Sequence, residues 1–134
     1  MVNNISRDFI RNCLDSLNTS TRIDDDGDLF TILSADKDFN HDVIIYFIVD
    51  EDWVSLNGYA GDYEVSDSNK GRVLLALNDF NKEYKVVKGC LVNNNVIRFE
   101  HSFLFAEGVT EEHIKRNLRL AIATIWKGFC ELNK

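Results

Sequence analysis

With 134 residues, 45% of them hydrophobic and 28% charged, the chain has the size and balance of one globular domain with its own core. Its formal net charge of −7 argues against general nucleic-acid binding, which draws its affinity from lysine and arginine on phosphates. Three well-separated cysteines, a polar N-terminus (MVNNISRDFI) and no apolar run near the ~20 residues of a membrane span predict a cytoplasmic protein with neither signal peptide nor membrane contact.

The first element reads as a helix. Ile5, Phe9, Cys13, Leu14 and Leu17 recur at three- and four-residue spacing, Asn4 or Ser6 can cap it, and Asn18-Thr19-Ser20 ends it. Four strand-like runs follow at about 19–24, 28–35, 42–49 and 53–60, bounded by Asp, Asn or Gly and joined by the short links of an antiparallel meander. The third run, DVIIYFIV, is apolar on both faces. Val43, Ile45, Phe47 and Val49 point one way; Ile44, Tyr46 and Ile48 point the other. A strand in a one-sided sheet would alternate with polar residues, so this one is expected to be central and covered twice, by a helix of the same chain or by another molecule.

After the polar loop YAGDYEVSDSN, residues 69–82 predict a second helix. Ser68 is its expected N-cap, Val73, Leu74, Leu77 and Phe80 its stripe, and Asn81 its C-cap. Two more strands are expected at 84–92 and 96–105, joined by Asn93-Asn94-Asn95, since Asn tolerates left-handed backbone angles. In the second of them Ile97, Phe99, His101, Phe103 and Phe105 share a face opposite Arg98, Glu100 and Ser102. A closing helix starts at Thr110, with Glu111 and Glu112 placed to favour its dipole and Ile114, Leu118, Ala121, Ile122, Ile125, Phe129 and Leu132 as its stripe. The predicted architecture is a single α+β domain of order α-β-β-β-β-α-β-β-α.

Chemistry-bearing motifs are sparse. RIDDDGDLF resembles a calcium loop, but placing Gly27 sixth puts Arg22 first and Leu33 twelfth, where acids are required. It reads instead as a hairpin turn, with Asp-Gly supplying the backbone angles. His41, His101 and His113 share no metal-ligand spacing, and no nucleophile elbow or phosphate loop occurs. No catalytic, cofactor or metal residue is therefore assigned, and an enzyme is not expected. Charge is uneven: residues 1–67 carry 15 acids and 4 bases, residues 68–134 carry 7 acids and 11 bases. Solvated loops and helix faces account for most of this; the sharper reading is a polar molecule that docks head-to-tail or presents an acidic face to a basic partner. Trp126 lies at the edge of the last stripe, placed for core packing or for a partner contact.

LLALNDFNKEYKVVKGCLVNNNVIRFEHSFLF, with its LNDFN helix end at Leu77 to Asn81 and its aromatic-bearing final strand, resembles the YbjN-like family of bacterial sensory transduction regulators. GVTEEHIKRNL and the acidic hairpin DDDGDLF extend that resemblance over nearly the whole chain. Members of that family are similar in fold to type III secretion chaperones, so the resemblance implies a chaperone- or adaptor-like domain without catalytic residues or cofactor. Expected partners are another protein or a second copy in a homodimer, with neither nucleic acid nor membrane. The candidate partner-binding residues are Ile44, Tyr46, Ile48 and Trp126. The alternative is a small-molecule sensor with a pocket between sheet and helix, His101 or Cys90 supplying a polar contact.

Overall fold

The computed structural model describes residues 5–50, 52–93, 95–104 and 109–133. Asn4, Asn94 and Phe105, which the sequence places in a cap, a turn and a strand, lie outside them. The elements run α1 (Arg7–Ser16), β1 (Arg22–Ile23), β2 (Leu29–Leu33), β3 (Val43–Val49), β4 (Trp53–Tyr59), α2 (Lys70–Glu83), β5 (Lys88–Val92), β6 (Val96–Leu104) and α3 (Glu111–Glu131). The strands form one antiparallel sheet ordered β1-β2-β3-β4-β6-β5, and the domain is α+β in the expected element order.

Register decides which side chains share a face. Leu29 pairs with Phe47, Thr31 with Ile45, Phe47 with Leu56, and Gly58 with Phe99. These residues are buried. They face the helices: a side chain on Gly58 would meet Ile125 and Phe129 of α3. Phe99 is wedged between two glycines, since a Cβ on Gly89 or Gly128 would lie 2.5 or 2.4 Å from its ring. Only glycine allows β5 and α3 to close on that ring from two sides. Ile10, Cys13 and Leu14 of α1 and Val73, Leu77 and Phe80 of α2 complete the core. Each large apolar side chain so buried contributes about 1.5–3 kcal/mol.

The ends of the elements follow local chemistry. Ser6 caps α1 by accepting from Phe9 N (3.1 Å), and Thr110 caps α3 by accepting from His113 N (3.2 Å). In RIDDDGDLF the Asp24 carboxylate accepts from the backbone N–H groups of Asp26 and Asp28, Gly27 adopts φ +86°, and Arg7 Nη1 donates to the Gly27 carbonyl. It is the hairpin turn between β1 and β2. Asn93 and Asn95 both take positive φ in the β5–β6 turn.

Four expectations need correction. β1 pairs over only two residues, because Asn18 (φ 61°) ends α1 and Thr19 N bonds back to Leu14 O, holding residues 19–21 off the ladder. Ser68 does not cap α2; its hydroxyl meets Ser66 Oγ, and Asn69 occupies the cap position while its own side chain holds the preceding loop. β5 begins at Lys88 rather than Tyr84, whose ring stacks on Phe80 (4.6 Å, 23°) and whose N–H still bonds to Phe80 O. Asn81 is not a C-cap, since α2 continues to Glu83. Its side-chain amide instead donates to Gly89 O and accepts from Gly89 N, both at 2.8 Å, fastening α2 to β5.

Candidate functional site

Alternation along the strands places a second set of side chains on the face away from the helices. Cross-strand pairing groups them: Ile32 with Ile44, Ile44 with Tyr59, Phe30 with Tyr46, Ile48 with Ser55, and Trp53 with Leu104. No helix among the described residues covers this face. Leu104 is 76% exposed, Ile32 40% and Ile48 36%; Phe30, Ile44, Tyr46, Trp53 and Tyr59 are half-buried, shielded mainly by one another. The Tyr46 ring sits 5.7 Å from Phe30 and 6.4 Å from Tyr59, tilted and edge-on, which are favourable aromatic geometries. Of the two covers expected for Ile44, Tyr46 and Ile48, a helix of this chain or another molecule, the first is not found among the described residues.

The same face is polar towards β6. Ser102 Oγ donates to Ser55 Oγ at 2.9 Å, Asn57 lies beside them, and Arg98 Nε stands 3.0 Å from Glu100 Oε2. Hydrogen bonding to Tyr59 raises the Arg98 pKa against the opposing effect of burial, so this cation is held on the face. An apolar band thus crosses from β2 through β3 to the Trp53–Leu104 pair, bordered by hydroxyl, amide and paired-charge groups. One end of the band is acidic. Leu29 lies opposite Phe47, so the β1–β2 hairpin with Asp25, Asp26 and Asp28 sits at the same end of the sheet as Asp50 and Asp52 of the β3–β4 turn.

Three of the four predicted partner residues, Ile44, Tyr46 and Ile48, meet on this face; Trp126 does not. It projects from α3 on the helix side and meets Phe39 edge-on at 6.0 Å. There it lines a groove of 520 Å³ with Lys127, Cys130 and Glu131 of α3 and Lys37 and Asp38 of the β2–β3 loop. Phe30, Ile32, Trp53, Tyr59 and Leu104 complete the open face and were missed as site residues. The parity of Phe30 and Ile32 within β2 was a usable signal, but the pairing of β4 with β6 was not visible in the sequence.

Of the two residues considered for a pocket between sheet and helix, His101 lies on the helix side and Cys90 does not. His101 pairs with Leu56 on the helix side, whereas Cys90 pairs with Arg98 on the open face. The His101 ring stacks on Phe103 (5.5 Å, 19°), its Nδ1 lies 3.1 Å from the Val86 carbonyl, and its Nε2 is buried without a hydrogen-bond partner among the described residues. Burial lowers its pKa, the Val86 contact opposing, so the ring is neutral, with Nδ1–H donating to Val86 O. Among the described residues no group of three or more His, Cys, Asp or Glu side chains is placed to hold a metal, and no helix is long and apolar enough to cross a membrane.

Comparison with known proteins agrees with this architecture. Residues 6–132 match the model of the YbjN family, described as "Putative bacterial sensory transduction regulator". The crystal structure of YbjN from E. coli superposes with a TM-score of 0.74 at 21% identity, covering 96% of this chain and 92% of that one. A protein from Methanothermobacter thermautotrophicus aligns over 96% of this chain and 97% of its own, at 12% identity and a TM-score of 0.47. No curated protein matches.

Proposed function

The chain belongs to the YbjN family, and from this premise we propose that it is a non-enzymatic regulatory adaptor that binds another protein through the open face of its sheet. The observation that carries this reading is the run of large apolar and aromatic side chains, Phe30, Ile32, Ile44, Tyr46, Ile48, Trp53 and Leu104, on a face that no described helix covers. Exposed apolar surface gathered in one band and bordered by polar groups is the usual composition of a protein-binding surface. Three cysteines far apart in the sequence, Cys13, Cys90 and Cys130, support a reducing, cytoplasmic setting. The alternative of a small-molecule sensor with a pocket between sheet and helix loses Cys90, which lies on the open face, and keeps only His101 as its polar contact.

Tyr46→Asp tests the proposal. The ring is half-buried against Phe30 and Tyr59 and lies outside the core, so the variant should fold with a loss of about 1 kcal/mol. Partner capture from host lysate should fall in the folded variant. Capture that is unchanged when circular dichroism shows a native fold would refute the assignment of this surface.

A further inference from the structure

We propose that the occupant of the open face is an amphipathic helix of about four turns with lysine or arginine at one end; this rests on the protein-binding reading above. The band from Ile32 to Leu104 spans three strand spacings and three two-residue steps, roughly 14 Å across and 20 Å along the strands. Its diagonal is about 25 Å, which a helix of ~16 residues covers at 1.5 Å per residue. The band averages two strands in width, about 10 Å, close to the diameter of one helix with its side chains.

Other occupants fit worse. A second copy stacked sheet on sheet would bury Asn57 and Ser102 and desolvate the Arg98–Glu100 pair, and each copy carries a net charge of −7. A single helix seated on the apolar band leaves that polar border wet. Strand addition at the β5 edge is obstructed, because the Asn81 amide already occupies both backbone hydrogen-bonding groups of Gly89.

Charge sets the chemistry of the occupant's ends. Asp28, Asp50 and Asp52 lie towards the Trp53–Leu104 end, whereas Arg98, paired with Glu100, lies beside Tyr59 at the other end. A helix with basic residues over the first end meets opposite charge there.

The test is selection from an unbiased displayed library of 16-residue peptides against the full chain at low salt, with Ile48→Asp as the counter-target. The expected enriched sequences carry apolar residues at i, i+3 or i+4, and i+7, with Lys or Arg grouped at one end. Their binding should weaken about tenfold in Ile48→Asp and about threefold in Asp28→Asn with Asp52→Asn, the latter effect vanishing at high salt. Leu104→Asp, at the exposed strand end, replaces Ile48→Asp if that variant fails to fold. Enrichment of period-two or acidic sequences that depend on Ile48 would overturn the helical occupant while leaving the protein-binding face standing. A dimer in sedimentation that Ile48→Asp dissolves would also overturn it, in favour of a second copy. Absence of any Ile48-dependent peptide, together with unchanged partner capture by Tyr46→Asp, would sink both.

Discussion

Asn81→Ala isolates the joint between α2 and β5. The amide of Asn81 satisfies the N–H and C=O of Gly89 with two hydrogen bonds of 2.8 Å, in a half-buried setting at the edge of the sheet. Each neutral hydrogen bond contributes roughly 1 kcal/mol, and a backbone group left unpaired away from water adds to the loss. The exchange of Asn for Ala recovers a few tenths through helix propensity. The expected destabilisation is therefore about 2 kcal/mol, read as a shift in the urea midpoint at constant slope. Lys88 Nζ, which donates to the carbonyls of Asn81 and Tyr84, still ties the helix end down, so the variant folds. Hydrogen exchange locates the effect: the Gly89 amide should lose protection while amides of β3 keep theirs. Asn81→Asp retains the acceptor for Gly89 N but sets a carboxylate against Gly89 O, and should cost at least as much. Asn78→Ala, at an exposed position on the same helix, is the control and should be neutral. An Asn81→Ala protein within 0.5 kcal/mol of the parent, with Gly89 exchange unchanged, would refute the clamp.

Gly128→Ala should cost about 1–3 kcal/mol despite a helix-propensity gain of up to ~1, because its Cβ would lie 2.4 Å from the Phe99 ring. Gly71→Ala, in α2 with nothing within 4 Å, should stabilise; equal signs for the two glycines in chemical denaturation would contradict the wedge. His101 has a folded pKa below its ordinary 6.5, so the unfolded chain binds more protons in the interval between the two values. Its contribution to stability is complete above about pH 6.5 and is lost as pH falls towards the folded value; His101→Leu should flatten that part of the acid limb, and an unaltered limb would exclude the buried neutral ring. Burial, aided by Glu111, raises the Cys13 thiol to about 11. Maleimide should therefore label Cys90 and Cys130 before Cys13 in the native protein, and mass spectrometry showing Cys13 labelled first would contradict its burial.

Much of the fold was legible because it depends on local period. The stripes of α1 and α3, the double-sided strand β3, the DDDG hairpin and the Asn turn all express backbone preferences within a few residues. What was illegible depends on contacts between distant residues. Asn81 looks like a C-cap when only its own helix is considered; its partner, Gly89, lies across the turn into β5. Residues 19–21 have strand composition, yet the tie of Thr19 to Leu14 keeps them from pairing. Trp126 and Tyr46 are both large and amphipathic, and only the topology shows that a sheet separates them.

The candidate site was half legible for the same reason. Ile44, Tyr46 and Ile48 belong to one strand, so their shared direction follows from a period of two. Trp53 and Leu104 join them through the pairing of β4 with β6, across a connection that includes all of α2 and β5. That separation of parity has a functional consequence. Odd positions of β3, Val43, Ile45 and Phe47, are packed against the helices, and changing them alters stability. Even positions lie among other side chains of the open face, such as Phe30 and Tyr59 around Tyr46, so they can be exchanged for other apolar or polar groups at small cost to the fold. The open face is free to vary in this way, and the core beside it is not. Conversely, the side chains kept apolar there, Ile32, Ile48 and Leu104, stabilise the isolated domain little, since they remain 40, 36 and 76% exposed. Their gain is realised only when something covers them.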